Sequence, residues 1–189
     1  MVFRGNQYVL WGCSAVISGT NDQLFGLPLA YLLTFRCYGT WVPGDERGTV
    51  SRHGHNVSAT PLLPRNPRQA SVCTRRLKHA PIELDAGRRQ VVCEAIEQVC
   101  QHRGWHLHAL HVGANHVHLV ISTDGPPEHA MNSLKSWATR RMVEHRLVQR
   151  GVKPWARHGS TRYLWRVEDV ESACVYVAEC QYERRRDKG

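Results

Sequence analysis

Two histidines stand one residue apart in the apolar run ANHVHLVIST, residues 114–123. If the run is a strand, successive side chains point to opposite faces. His116, His118, Val120 and Ser122 then share one face, and Val117, Leu119 and Ile121 share the other, which reads as core. Same-face neighbours stand roughly 7 Å apart along a strand. That is close enough for two neutral imidazoles to hold one divalent cation. A cation with open positions could polarise a phosphodiester and stabilise a leaving oxygen. The plainer reading is a half-exposed strand with two solvated histidines. The chain has 12 histidines, His106, His108 and His111 close by among them, and that lowers the specificity of the pair.

Phosphoryl transfer also needs a nucleophile. Tyr176, in the stretch VYVAECQ (175–181), can attack phosphorus and hold a DNA end as a phosphotyrosine, which conserves the bond energy for rejoining. Taken alone, it reads more readily as a core aromatic of a helix. Tyr182, nearer an arginine-rich end, and Tyr163, in a strand flanked by apolar residues, are rivals.

The elements that must position these residues follow from periodicity. LAYLLTFRCYGTW (29–41) reads as a strand that ends in the turn WVPGDERG. Residues 42–80 are rich in Pro, Arg, Ser and Asn and read as one long irregular segment. LDAGRRQVVCEAIEQVCQHRG (84–104) is a helix with Asp85 at its N-cap and Gly104 at its end. WHLHALHVG (105–113) and HVHLVIST (116–123) form a hairpin around Ala114-Asn115. Residues 126–151 form a second helix behind Pro126 and Pro127, with Met131, Leu134, Ala138, Met142 and Leu147 on its apolar side. RYLWRV (162–167) is a short strand. Residues 168–186 form a final helix with acids in its first turn and arginines in its last. This order is the split βαβ, ferredoxin-like plan: an α+β fold with an antiparallel sheet, helices on one face and an extra C-terminal helix. The histidine pair lies on the second face, which the last helix could cross.

Bulk properties narrow the classes. The chain has 189 residues and a formal net charge of +9, which favours a polyanionic partner, nucleic acid first. Its 7 cysteines include no CxxC pair, which argues against a disulfide framework or zinc-thiolate site and for a reducing cytosol. Cys93 and Cys100, seven apart in the first helix, read as small core residues. No run approaches the roughly 20 apolar residues of a membrane span, and the first residues make a poor secretory signal. Residues 1–27 are read as a poorly determined extension, residues 28–189 as the catalytic domain, and the expected location is the cytoplasm.

Four stretches together resemble the single-tyrosine HUH transposases, most closely the REP-associated tyrosine transposases: LLTFRCYGTWVPGDERGTVSR, ANHVHLVIS, KPWARHGSTRYLWRVEDVE and VYVAECQ. They span residues 29–182 in the expected order. The resemblance implies that His116 and His118 bind Mg or Mn, with Val117 as the hydrophobic residue between them. It implies that Tyr176, on the extra C-terminal helix, is the nucleophile. It further implies that a polar residue after the tyrosine completes the metal shell. Gln181 matches best, although five residues rather than four separate it from Tyr176; Glu179 is the fallback.

The activity so implied is metal-dependent cleavage and rejoining of single-stranded DNA at hairpin-flanked, REP-like palindromes through a 5′-phosphotyrosine. Arg36, Trp41, Arg47, Arg52, Lys135, Arg140, Arg141, Trp155, Arg157 and Arg162 would bind the DNA, by charge or by stacking. Trp137 and the 184–186 arginines are further candidates. For any single arginine, a solvated surface position is the competing reading. Relatives of this kind are monomers or homodimers. A DNA-hairpin-binding protein without catalysis is the alternative. A metallohydrolase of another class is a third reading, for which the chain offers no HExxH-type element.

Overall fold

The computed structural model describes residues 8–10, 27–50 and 62–179. The sheet begins with β1 (Tyr8–Leu10) and β2 (Ala30–Cys37). Next come the two-residue strands β3 (Thr49–Val50) and β4 (Leu62–Leu63), then α1 (Pro67–Arg75) and α2 (Ala86–Arg103). The hairpin of β5 (His106–Val112) and β6 (His116–Ser122), α3 (Pro127–Glu144), β7 (Trp155–Leu164) and α4 (Val167–Ala178) complete the chain.

The sheet order is β1-β5-β6-β2-β7, with every pair antiparallel. Without β1, this is the expected ferredoxin-like arrangement: β2 and β6, the two central strands, lie side by side, and the hairpin partner β5 and the last strand β7 flank them. Residues 8–10 add a strand beside β5 at one edge.

The alternation of β2 decides where the cores go. Tyr31, Leu33, Phe35 and Cys37 point to one face and pack with Val117, Leu119 and Ile121 under α2 and α3. Both of those helices lie on that face. α2 starts where the Asp85 carboxylate accepts from the Arg88 N–H at 2.8 Å, and it stops at Gly104, whose φ of 69° is the left-handed C-cap conformation. Cys93 and Cys100 are buried core residues of α2, and burial pushes both thiols up to about 12.

The other face carries a second, smaller core, made by Ala30, Ala109, Val120 and Leu164 against Ala173, Cys174 and Val177 of α4. The final helix therefore packs on the histidine face, the placement that the sequence left open.

Four boundaries differ from expectation. The final helix, expected over 168–186 with arginines in its last turn, is Val167–Ala178, capped at Glu179 and without a basic residue in its last turn. Residues 42–80 are not one irregular segment, because they contain the β3–β4 ribbon and α1. Asn66 caps α1 by accepting from the Gln69 N–H, and Pro67 follows at the first helical position. The second helix ends at Glu144 rather than 151, since Arg146 takes φ 57° and the chain turns so that Leu147 still packs against the first core. The last strand spans Trp155–Leu164 rather than 162–167. It is bulged: Gly159 pairs with Phe35 and Trp155 with Cys37, so residues 156–158 stand opposite Arg36 alone.

Candidate functional site

The site is built on the even-numbered face of β2. In register with β6, Thr34 lies across from His118 and Arg36 across from His116. On the other side of β6, His111 of β5 also faces His118. Sequence reasoning treated His111 only as background. Counting outward from the Ala114-Asn115 turn of the predicted hairpin pairs 111 with 118, so the signal was available.

The two histidine rings stand 4.7 Å apart between centroids, at 72° to one another. Each has its Nδ1 engaged by a neighbour. The Asn115 Oδ1 is 2.6 Å from His116 Nδ1, and the Thr34 Oγ1 is 2.7 Å from His118 Nδ1. A carbonyl oxygen only accepts, so His116 carries its proton on Nδ1 and the ligating lone pair is on Nε2. That is the outer-shell arrangement by which proteins orient imidazoles toward a metal. Among the described residues, no third His, Cys, Asp or Glu joins the pair to make a three-ligand cluster. Glu179 is exposed at the C-cap of α4, and Gln181 lies outside the described residues.

Tyr176 comes to this pair from α4. Its ring meets the His118 ring edge-on, with centroids 5.8 Å apart and an interplanar angle of 86°. It is half-buried, packed against the second core. Tyr163 does not compete for the place. It belongs to the opposite face of β7, where its ring packs on Tyr31 at 5.3 Å. Tyr182 lies outside the described residues.

The expected DNA-binding residues divide into groups. Arg36, Trp41 and Arg47 come together at the histidine end of the sheet. The Arg36 Cζ lies 3.2 Å from the Trp41 ring centroid and the Arg47 Cζ 4.5 Å from it. Arg47 also grips Asp45, with Nε to Oδ1 and Nη2 to Oδ2 both 2.7 Å. That hydrogen bonding holds the Asp45 carboxyl at about 2 and raises Arg47 further. Burial, and then the neighbouring Arg47, lower Arg36 to about 10, so it remains a cation at neutral pH. Arg157 is exposed in the β7 bulge opposite Arg36, and Arg162 is exposed across from Leu32 on the histidine face.

Two of the expected residues belong to the interior instead. Trp155 is 7% exposed, packs edge-on against Phe35, and donates its Nε1 hydrogen to Lys135 O and Thr139 Oγ1, both at 3.0 Å. It has no face to offer a base. Lys135 is 8% exposed, its Nζ donating to Ala156 O at 3.1 Å and His158 O at 3.4 Å. Both look surface-like in the sequence because Trp and Lys stand among polar residues there; their helix and strand positions turn them inward.

Arg140 and Arg141 are on α3, across the sheet from the histidines. Arg140 lies over Trp137, and Arg141 is paired with Glu144 at 2.7 Å. Arg52 lies outside the described residues. Among the described residues no helix is long and apolar enough to cross a membrane.

Residues 72–165 match the family model described as transposase, IS200-like. The matched stretch includes both histidines and β7 and stops before α4. No curated protein matches the chain. The solved structures similar to it include two transposases. One is a REP-associated tyrosine transposase bound to a REP hairpin, with 9% identity, 88% of this chain and 74% of that chain covered, and a TM-score of 0.49. The other is a candidate transposase from Deinococcus radiodurans R1, with 14% identity, 88% and 97% covered, and a TM-score of 0.44.

Proposed function

The chain belongs to the IS200-like transposase family, and from that premise we propose that it cuts and rejoins single-stranded DNA through a covalent tyrosine intermediate. The observation that carries this is the meeting of Tyr176 with His118 at 5.8 Å, beside His116, on a face where α4 is the only covering helix among the described residues. Elements distant in sequence bring a tyrosine next to a pair of oriented imidazoles, which supports this reading.

His116 and His118 would hold a divalent Mg or Mn ion, which fits their side-by-side rings and engaged Nδ1 atoms. When bound, the ion would supply positive charge to the reacting phosphate. Gln181 or Glu179 would complete its shell. The rest is done by the chain. The Tyr176 phenol oxygen attacks phosphorus, its proton passing to solvent. The P–O3′ bond breaks, the 3′ oxygen takes up a proton, and the 5′ phosphate stays on the tyrosine. Attack of an incoming 3′ hydroxyl reverses the step and frees the phenol. The substrate is DNA carrying REP-like hairpins, a reading that rests on the resemblance of the four sequence stretches and on the net charge of +9. Arg36, Arg47, Arg157 and Arg162 would bind it, with Trp41.

The test is a denaturing gel with labelled single-stranded hairpin oligonucleotides whose flanks are randomised, in Mn, comparing wild type with Tyr176→Phe. A covalent adduct formed by the wild type and lost in the variant supports the reading, and sequencing the attached DNA maps the cut. Hairpin binding in a native gel without any adduct would overturn catalysis and leave a DNA-binding relative.

A further inference from the structure

We propose, on the strength of the cleavage reading above, that Arg36 is a catalytic residue: its guanidinium grips the non-bridging oxygens of the phosphate that Tyr176 attacks.

The first observation is position. Arg36 sits directly across β2–β6 from His116, and Tyr176 meets His118, the next same-face residue of β6. The histidine pair therefore lies between a nucleophile on one side and a fixed cation on the other. A phosphate held at the imidazoles would lie between the two.

The second is charge. Arg36 is half-buried, and among the described residues no carboxylate lies within ion-pair distance of it. Asp45 is near enough to be felt, but both of its oxygens bond Arg47. A half-buried cation without an anion is costly unless something arrives to match it. The Trp41 ring face stabilises the guanidinium in part and fixes its plane.

The third is rigidity. Trp41 is anchored by its Nε1 hydrogen to Gly48 O at 2.8 Å, and Arg47 Nη2 donates to Thr40 O at 2.7 Å. The loop is seated on α1 where Gly44, at φ 86°, approaches so closely that a Cβ there would stand 2.5 Å from Asn66 O. A cation preorganised in this way stabilises charge that develops at a fixed place. In this arrangement Trp41 also backs the Arg36 guanidinium.

In the attack step the Tyr176–phosphorus bond forms and the P–O3′ bond breaks, while Arg36 neither gains nor loses a proton. Its contribution is electrostatic and depends on the negative charge of the non-bridging oxygens. A methylphosphonate at the cut removes that charge. The experiment compares adduct rates of wild type, Arg36→Gln and Arg36→Lys on the mapped oligonucleotide and on the same oligonucleotide with one methylphosphonate at the cut. On phosphate DNA, Arg36→Gln should slow the adduct by roughly 100-fold, with partial recovery in Arg36→Lys, a point charge without the fork. On methylphosphonate DNA the three proteins should react within about 3-fold of one another. An equal penalty on both DNAs would make Arg36 a merely structural residue and overturn the inference, as would no penalty on phosphate DNA. If Arg36→Gln does not fold, as judged by its melting curve, Arg36→Lys carries the same comparison. No wild-type adduct on any hairpin would instead sink the cleavage reading, and this inference with it.

Discussion

The Thr34 hydroxyl lies 2.7 Å from Nδ1 of His118, and the two residues face one another across the central pair of strands. The hydroxyl engages a ring that faces both His116 and Tyr176. Outer-shell partners of this kind set imidazole orientation and basicity and are worth about 10–100-fold in metal affinity or activity. Thr34→Val keeps the shape and deletes the bond. It should weaken Mn binding by a factor in that range, read by calorimetric titration, while the melting temperature moves little. Thr34→Ser should restore the affinity. A Val variant that binds Mn as tightly as wild type would remove Thr34 from the site.

Gly113 closes the hairpin beneath the histidines. A Cβ added there would lie 3.0 Å from His116 Cε1 and 3.2 Å from His111 Nε2. The backbone itself tolerates alanine, and replacing glycine restricts the unfolded chain, so stability should hold or rise by a few tenths of a kcal/mol. The two rings must give way, however, and a small misplacement at a reacting centre can cost far more than it costs the fold. Gly113→Ala should therefore lower the adduct rate by about tenfold with an unchanged or higher urea midpoint. A variant destabilised by more than about 1 kcal/mol would mean that the glycine serves the turn.

The legible parts of this molecule were those with local signals. Asp85 and Gly104 bracket α2 because a cap and a left-handed stop are written in single residues. The face shared by His116 and His118 followed from strand alternation alone. What stayed hidden was pairing between distant segments. Nothing near Thr34 or Arg36 announces that they lie across from His118 and His116, since register between β2 and β6 is set by core packing over a separation of more than eighty residues. Asn66-Pro67 did announce α1, but the surrounding polar composition masked it. Trp155 and Lys135 misled for a related reason: charge and aromaticity suggest DNA, while burial is decided by the bulge and the facing helix.

That bulge needs Gly159. A Cβ there would come within 2.5 Å of both Met131 Sδ and the backbone oxygen of Thr34. Methionine can move aside, but the Thr34 carbonyl belongs to the sheet. Gly159→Ala should cost about 1–3 kcal/mol by overpacking, measured by urea unfolding. Adding Met131→Ala should recover only part of it, because the backbone clash persists. Full recovery would place the whole conflict on the methionine.

Lys135 predicts an unusual pH profile. Burial lowers its ammonium from 10.5 to about 8, with its hydrogens directed at two carbonyls under the β7 bulge. The folded state gives up this proton before the unfolded state does. Between pH 8 and 10.5 the unfolded chain binds more protons, so this group makes stability rise with pH across that window. Below pH 8 the buried charge exerts its full penalty. At about 1.4 kcal/mol per unit over the whole window, the gain is on the order of 3 kcal/mol. Buried thiols such as Cys37, pushed up to about 12, act in the opposite direction at higher pH, so the comparison must be with Lys135→Met and not with a single protein across pH. Urea unfolding at pH 7, 8, 9 and 10 should show wild type gaining on the variant steadily above pH 8. A constant difference over that range would mean that Lys135 keeps an ordinary ammonium, with water reaching it beneath the strand.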